Sequence, residues 1–303
     1  MPTIEANGIS INYVLEGPEY GDLLVLINGL ADDLETWSAQ VPASLEAGYR
    51  VLRYDNRGIG KTSRPPGPYT SDLLADDLGA LLEALDIREG FHLLGVSMGG
   101  MIAQSYALKH PSRPLPKTSG DASNGTIGRH LLSLSLCCTY AQPTPFCTRM
   151  FSLWAEMAQE MSVQDVMRDV TLWAFTVPFF RSRTNELLEV EQAMRGLDMA
   201  VPEYLAQLNV IQTFDTTAQL EGLKNEEKVL GGFDANEGGQ GRVMVLAGKT
   251  DILIPVVMSH ELAERIEGSR FLTCKGGHGC MWEFPDDFNK VVLGFLQECR
   301  VKK

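Results

Sequence analysis

The sequence lacks an excess of basic residues, a long apolar run and a leader-like N-terminus. Its 303 residues include 26 Lys and Arg against 39 Asp and Glu, which gives a formal net charge of −13. That charge argues against a nucleic-acid surface and against binding to an anionic membrane. No apolar run approaches the length of a membrane-spanning helix, and Met1–Glu5 lacks the basic and apolar regions of a signal peptide. We therefore expect a cytoplasmic protein without nucleic-acid or membrane partners.

Cysteine is scarce, and the spacing of the cysteines matches no metal site. In a reducing compartment all six are expected to be free thiols, at positions 137, 138, 147, 274, 280 and 299. The sequence also contains no internal repeat. With 44% hydrophobic residues, its length fits one large α/β domain with an insertion, or at most two domains.

Apolar runs alternate with helical patterns along the first half of the chain. Leu23–Ile27 is an unbroken apolar run, which is typical of a strand buried on both faces of a parallel sheet. The alternation predicts an α/β fold with a mostly parallel sheet and helices on both faces. The other predicted elements are a hairpin turning at Asn7–Gly8, strands at Tyr49–Tyr54 and Phe91–Leu94, and helices over 36–46 and from Thr70 or Ser71 to about Leu85.

The second half of the chain contains a segment without strands. Between 144 and 219 several helices rich in methionine and aromatic residues are predicted. We interpret this segment as a helical cap, 144–219, inserted into a core formed by 1–143 and 220–303. Most of its large side chains are expected to pack within the cap, and a minority to line a pocket. The remaining predictions are polar loops over 112–130 and 225–242, strands at Leu131–Cys137, Val243–Ala247 and Arg270–Cys274, and a final helix over 285–301.

One short motif carries the chemistry. The apolar run from Phe91 stops at Gly95, Ser97 follows, and a helix is predicted from Met98. Glycines on both sides of the serine allow the strand and the helix to approach closely. This pattern, Gly-x-Ser-x-Gly, is the nucleophile elbow, in which the serine hydroxyl is exposed at the carboxyl end of a sheet. The alternative is a glycine-rich turn with a solvated serine.

A serine nucleophile needs an imidazole base, and that base needs a carboxylate. Of the five histidines, only His278 lies on a glycine-rich loop directly after a predicted strand; His260, in a predicted helix, is the main competitor. Asp251 follows a strand and is the preferred acid. Asp55 also ends a strand, but we expect it to cap backbone N–H groups of a turn and to pair with Arg57.

Four motifs together carry a family resemblance, and they are Asn28–Leu30, Asp55–Gly60, Gly95–Gln104, and Gly248–Asp251 with Gly277–His278. By these motifs the sequence resembles the α/β-hydrolase fold serine hydrolases, and is particularly similar to the branch of 3-oxoadipate enol-lactonases and cofactor-free haloperoxidase-type esterases.

The resemblance implies a catalytic triad of Ser97, Asp251 and His278, whose chain order is the one described for this fold. It also implies that the backbone N–H groups of Leu30 and Met98 form an oxyanion hole, and that the helical insertion covers a pocket. One departure is Asn28, because many relatives have His-Gly at this point. Trp37 and Met281–Trp282 either border the pocket or pack elsewhere.

The expected activity is hydrolysis of a carboxylic ester or lactone of an apolar small molecule through an acyl-enzyme. No cofactor or metal is needed for this chemistry. The sequence does not decide between a monomer and a homodimer. One alternative uses the same triad for carbon–carbon bond hydrolysis or for a non-hydrolytic biosynthetic step. A second alternative, of another class, is a receptor-like ligand-binding protein that retains the triad.

Overall fold

Eight strands form one sheet in the part of the chain that the structure describes. The computed structural model of the protein describes residues 1–110, 131–223 and 241–300. The strands are β1 (Thr3–Ala6), β2 (Ile9–Glu16), β3 (Leu23–Ile27), β4 (Arg50–Tyr54), β5 (Phe91–Val96), β6 (Leu131–Cys137), β7 (Val243–Gly248) and β8 (Arg270–Cys274). They lie in the order β1-β2-β4-β3-β5-β6-β7-β8; β2 pairs antiparallel with β1 and β4, and all other neighbours pair parallel. The predicted fold class is confirmed.

Helices connect the parallel strands. They are α1 (Gln40–Glu46), α2 (Ser71–Ala84), α3 (Met98–Lys109), α4 (Pro145–Glu160), α5 (Val163–Ala174), α6 (Val177–Ser182), α7 (Thr184–Arg195), α8 (Val201–Thr213), α9 (Val256–Arg265), α10 (Cys280–Glu283) and α11 (Pro285–Glu298). Short 3-10 helices occupy Leu34–Trp37 and Leu220–Leu223. No helix in the described ranges is long and apolar enough to cross a membrane.

The sheet separates two apolar cores, and β3 contributes to both. Leu23, Val25 and Ile27 pack into the core that contains α2 and α3. Leu24 and Leu26 point the opposite way, into the core that contains α11. Successive side chains of a strand alternate between the faces of a sheet. The unbroken apolar run of β3 is therefore explained by burial on both faces.

The N-terminal hairpin is confirmed, and the helix predicted over 36–46 is confirmed from Gln40 to its end but not at its start. Asn7 and Gly8, with φ of 49° and 73°, form the turn between β1 and β2. In place of one helix, the 3-10 helix Leu34–Trp37 is followed by a separate α1 from Gln40. Pro42 explains the break, because a proline ring inside a longer helix would clash with the carbonyl group four residues earlier. Pro42 instead lies in the first turn of α1.

The end of β5 and the short α10 also differ from the sequence predictions. β5 continues past Gly95 to Val96, since the N–H of Ser97 still donates to the Cys137 carbonyl of the neighbouring strand at 2.8 Å. The short α10 precedes the final helix and was not predicted. Some predictions lie outside the described residues. These are the loop predicted over 112–130, which includes His130, most of the loop predicted over 225–242, and Val301 at the end of the predicted final helix.

Among the residues that the structure describes between β6 and β7, 138–223 and 241–242, there are five helices, α4 to α8, as predicted for the insertion. The C-terminal half of this group contacts the core closely: α8 packs against α3, and the Tyr69 N–H donates to the Ala206 carbonyl of α8 at 3.2 Å. The division into a core domain and a cap domain at 144 and 219 stays a proposal. We use the name cap below for α4 to α8.

Gly99 provides a test of a close backbone approach beside the predicted elbow. A Cβ at this position would lie 2.2 Å from the Ile27 carbonyl oxygen and 2.7 Å from that of Asn28. Because neither backbone group can move freely, Gly99→Ala should lower the free energy of unfolding by about 3 kcal/mol.

Gly294→Ala is the matched control, because Gly294 lies on the exposed side of α11 with no atom within 4 Å of its Cβ position. It should raise the free energy of unfolding by about 1 kcal/mol. Urea denaturation measures both variants, and equal stability of the two would contradict the role given to Gly99.

Candidate active site

Ser97 stands between β5 and α3 in a backbone conformation that L-residues rarely adopt, with φ 55° and ψ −119°. Its two flanking glycines explain how the sharp bend is possible. A Cβ on Gly95 would lie 2.1 Å from the Gly99 carbonyl oxygen, so the strand and the helix touch through backbone atoms. Strained conformations of this kind persist where the surrounding structure enforces them, and they cluster at functional sites. The sequence prediction of a sharp strand-to-helix turn at Ser97 is borne out.

His278 and Asp251 are brought together by the loops after β8 and β7. His278 Nδ1 lies 2.9 Å from Asp251 Oδ2, and both side chains are almost fully buried. Asp251 Oδ1 also accepts the N–H of Ile254 at 2.9 Å, which fixes the carboxylate. Burial alone lowers the pKa of His278, but the charge and the hydrogen bond of Asp251 outweigh it, with smaller contributions from Cys138 and Asp32. The resulting pKa of His278 is raised to about 9.

The competing histidines are placed differently. His92 is fully buried in β5, with Nδ1 2.7 Å from the Ser133 hydroxyl, and burial lowers its pKa to about 3. His260 lies on the exposed side of α9, 3.6 Å from Glu264. His110 follows α3 and stacks on Tyr106. Among the described histidines, His278 is therefore the one that shares a cavity with Ser97.

Two backbone N–H groups were expected to form an oxyanion hole, those of Leu30 and Met98. Met98 is the first residue of α3, and its N–H is one of the four at a helix start that have no intrahelical acceptor. Leu30 precedes Ala31, which adopts a φ of 58°. Leu30 lines the same cavity as Ser97, and Met98 directly follows the serine.

Gln207 of α8 holds the Leu30 loop from the cap side. Its Oε1 accepts the N–H of Ala31 at 3.0 Å, and its Nε2 donates to the Arg57 carbonyl at 2.9 Å. The side chain is completely buried. The sequence pattern does not identify this residue, because nothing in the spacing of α8 distinguishes it from the other polar residues of the helix.

Asn28, the departure from the family pattern, is a structural centre of the same loop. Its Nδ2 donates to the Tyr54 carbonyl at 3.0 Å and to the Asp32 carbonyl at 3.2 Å. Its Oδ1 accepts the indole N–H of Trp37 at 2.7 Å. Asn28 is fully buried, and the loop is therefore fixed by a side chain that uses its donor and its acceptor. Trp37 packs here and does not line the cavity.

The expectation for Asp55 is half right. Its carboxylate accepts the backbone N–H groups of Leu34 at 2.8 Å and of Lys61 at 2.9 Å, as a turn-capping residue should. The expected ion pair with Arg57 is wrong. Arg57 instead binds the buried Asp77 of α2 through Nε at 2.6 Å and Nη2 at 2.5 Å. A bidentate pair with a helical carboxylate is geometrically better than a contact within one short turn.

A cavity of about 550 Å³ opens above Ser97. Ser97, His278, Leu30 and Asp32 line it on the side of the sheet. Of the fifteen methionine and aromatic side chains in the predicted cap segment 144–219, five line it: Phe151, Trp154, Met167, Phe175 and Met194. Trp282 lines it too, whereas Met281 is buried in the α11 core. The expectation that a minority of these cap side chains face the pocket is confirmed.

The loop that carries His278 is also bonded to the cap. The N–H of Gly279 donates to the Ala174 carbonyl at the end of α5, at 2.8 Å. Glu283, buried in α10, accepts the Gly277 N–H at 3.2 Å and the Thr176 hydroxyl. This anchoring was not predicted, since α10 itself was missed.

One cluster among the described residues has the spacing of metal ligands, and it coincides with the site just described. Ligand atoms of Cys138, Asp251 and His278 lie within 4.8 Å of one another. The Asp251 and His278 atoms already face each other in a hydrogen bond, and Cys138 Sγ contacts Cys280 Sγ at 3.7 Å. We therefore assign this cluster to the histidine–aspartate pair. All six cysteines are free and buried.

Comparisons with known proteins agree with this architecture. The family model described as the alpha/beta hydrolase fold matches residues 22–113. The enol-lactonase from Burkholderia xenovorans LB400 superposes with a TM-score of 0.78 at 24% identity, covering 98% of this chain and 100% of the other. The chain has the α/β-hydrolase fold. Its sheet, elbow and inserted helices are those of this fold.

Two curated relatives cover the chain over nearly its full length. A protein of Caulobacter segnis named as the carbamate hydrolase RutD is 26% identical over 280 residues, 91% of each chain. A Mycobacterium tuberculosis protein named as the non-heme bromoperoxidase BpoC is 27% identical, over 94% of this chain and 98% of the relative. The resemblance to the lactonase and haloperoxidase branch of α/β-hydrolases is thereby confirmed.

Gln207→Leu tests the bridge between the cap and the Leu30 loop of this α/β-hydrolase fold. The substitution keeps the volume but leaves the Ala31 N–H and the Arg57 carbonyl buried without their partner. Because each unsatisfied buried group costs about 1–3 kcal/mol, the free energy of unfolding should fall by about 3 kcal/mol.

Gln159→Leu is the control, since Gln159 is an exposed glutamine of α4 whose side chain bonds its own helix. Its stability should change by less than about 0.5 kcal/mol. Urea denaturation of both variants decides the question, and a Gln207→Leu protein as stable as the control would show that the bridge carries no stability.

Proposed function

We propose that the protein is a serine hydrolase that cleaves a carboxylic ester or lactone of an apolar small molecule through an acyl-enzyme. The observation that carries the proposal is one arrangement. Ser97 stands on a strained elbow, facing a cavity that also contains His278, and His278 is hydrogen-bonded to the buried Asp251. A nucleophile, a base and an orienting acid with these relations are the minimum for acyl transfer.

In this mechanism Ser97 Oγ attacks the acyl carbon while His278 Nε2 accepts the hydroxyl proton. Asp251 holds the other ring nitrogen, Nδ1, and stabilises the imidazolium. The negative oxygen of the tetrahedral intermediate accepts hydrogen bonds from the N–H groups of Leu30 and Met98. His278 then returns the proton to the leaving alkoxide, and water, deprotonated by the same imidazole, hydrolyses the acyl-enzyme. No step requires a metal or an organic cofactor.

The cavity supports an apolar substrate. Its walls are mostly aliphatic and aromatic side chains of the cap, and its volume of about 550 Å³ fits a small molecule. The names of two similar proteins, a carbamate hydrolase and an enol-lactonase, refer to acyl substrates, which favours acyl transfer over the carbon–carbon alternative. Cytoplasmic localisation, a homodimer and the absence of nucleic-acid contacts stay predictions from the sequence.

A p-nitrophenyl ester series from acetate to decanoate tests the proposal directly. The wild type should turn over these esters with an optimum above acetate, because the acyl chain enters an apolar cavity. Ser97→Ala should lose turnover by at least about 10³-fold and lose labelling by a fluorophosphonate.

Ser135→Ala is the matched control, because Ser135 is a fully buried serine on the neighbouring strand β6. It should keep both turnover and labelling. Labelling that survives in Ser97→Ala would place the nucleophile elsewhere, and a wild type inactive on every ester would remove simple esterase action.

The pKa of His278 predicts the pH dependence of the reaction. The base must be neutral to accept a proton, and its pKa is raised to about 9. kcat/KM should therefore rise about tenfold per pH unit between pH 7 and 8 and level off above about pH 9. Asp251→Asn removes the charge that raises the pKa, so the rise should move to lower pH while kcat falls by about 10³-fold or more.

Asp86→Asn is the control for this profile, because Asp86 is an exposed carboxylate directly after α2. Its variant should keep the wild-type profile and rate. An Asp251→Asn enzyme with an unshifted profile would argue that another group raises the pKa of His278.

A further inference from the structure

Asp32 is a second carboxyl group on the floor of the cavity. A Cβ placed on Gly29 would lie 2.9 Å from Asp32 Oδ2 and 3.7 Å from Ser97 Cβ, so the carboxyl stands close to the serine. The charge of His278 also acts on Asp32. Asp32 follows Ala31 in the loop that contains Leu30, and it lines the cavity together with Ser97 and His278.

The other carboxylates around the cavity already pair with an arginine or accept a backbone N–H. Glu35 pairs with Arg53 at 3.1 Å, and Asp198 pairs with Arg64 at 2.8 Å. Asp33 accepts the N–H of Glu35 at 2.9 Å and caps the short helix that follows. Asp32 has the Thr36 hydroxyl and the Gly29 N–H as hydrogen-bonding neighbours.

The described residues that line the cavity include neither Lys nor Arg. An anionic substrate would lose part of its hydration on entering and would find no Lys or Arg in compensation, and the imidazolium of His278 is already paired with Asp251. It would also come close to Asp32. An uncharged or cationic substrate meets neither penalty.

The charge of Asp32 changes within the working range of the proposed enzyme. Burial raises the pKa of Asp32 to about 7 and the Asp33 carboxylate adds to the rise, while His278, the Thr36 hydroxyl and the Gly29 N–H oppose it. Above pH 7 the group is therefore increasingly negative, and below pH 7 it is increasingly a neutral hydrogen-bond donor.

We propose that Asp32 determines the charge of the accepted substrate, and that the natural substrate is an ester or lactone whose acyl and alkoxy parts carry no negative charge. This inference rests on the proposed function, and it deepens that function by naming a substrate class. An ester or lactone with a free carboxylate would therefore be a poor substrate.

The size of the effect follows from Coulomb's law. Two unit charges about 6 Å apart at an effective dielectric constant of about 20 change an equilibrium or rate constant by about 100-fold. Screening by salt reduces this value. At pH 8.5 and low ionic strength we therefore expect a 10- to 100-fold lower kcat/KM for an anionic ester than for a neutral ester of similar length.

Three p-nitrophenyl esters form the test, and they differ mainly in charge at the end of the acyl chain. 5,5-Dimethylhexanoate is neutral, 4-(trimethylammonio)butanoate is its cationic isostere, and the monoester of glutarate is anionic. The wild type should rank the cation at or above the neutral ester, and the anion at least about 10-fold below it. In Asp32→Asn the ratio of kcat/KM for the neutral ester to kcat/KM for the anionic ester should fall by at least about 10-fold. The readout is a ratio, so a general loss of rate in the variant does not affect it.

Asp33→Asn is the matched control. It removes one charge at the next residue, whose side chain is exposed. Asp33 caps the 3-10 helix Leu34–Trp37, and asparagine is an equally good capping residue. At pH 8.5, where Asp32 is ionised with or without the Asp33 charge, the ratio of kcat/KM for the neutral ester to that for the anionic ester should change by less than about 3-fold.

A second measurement needs no variant. In the wild type the penalty on the anionic ester should grow as the pH rises from 6 to 8.5, because Asp32 ionises in this range. The titration of His278 affects all three esters alike and cancels in the ratio.

The outcomes separate the two proposals. Equal turnover of the neutral and anionic esters by the wild type, or an unchanged ratio in Asp32→Asn, would overturn charge selection and leave the serine hydrolase intact. Absence of turnover of all three esters, together with absence of fluorophosphonate labelling, would overturn the proposed function and this inference with it.

Discussion

The site depends on the backbone contact between the elbow and the neighbouring strand. Gly99 lies so close to the Ile27 and Asn28 carbonyl groups that a single methyl group would not fit. This contact fixes the start of α3 against the end of β3, and the Leu30 loop begins immediately after β3. One packing constraint therefore positions both Ser97 and the loop that is proposed to hold the oxyanion.

The cap contributes more than a wall for the cavity. Gln207 bonds the N–H of Ala31 on one side of the site, and the Ala174 carbonyl bonds the Gly279 N–H on the other. Both contacts reach loops that carry proposed functional residues. A cap that moved as an independent lid would have to break buried hydrogen bonds at both places, which costs more than sliding apolar surfaces apart. The cap is therefore better described as part of the frame of the site.

Local backbone requirements explain what the sequence could predict. The elbow at Ser97 and the turn at Asn7–Gly8 are determined by glycine and asparagine at particular positions, and both were recognised. The placement of His278 after a strand follows from the rule that ligands gather at the carboxyl ends of parallel strands. Gln207 could not be recognised, because its partner Ala31 is 176 positions away and the contact depends on the packing of the whole cap. The partner of Arg57 was misassigned for the same reason, since Asp77 comes close only after α2 has packed against the sheet.

The electrostatics of the site favour a positive charge at its centre. Asp251 and Asp32 both act on His278 and raise its pKa, and no described cationic side chain lines the cavity to oppose them. An imidazolium is the state that His278 must reach in the transition state of acyl transfer, so this environment stabilises the charge where the proposed reaction creates it. The same environment keeps His278 protonated in most of the resting enzyme at neutral pH and disfavours a negative charge on the substrate. A single distribution of carboxylates thus links the pH range of the base to the charge of the substrate class, because both follow from the field that surrounds the imidazole ring.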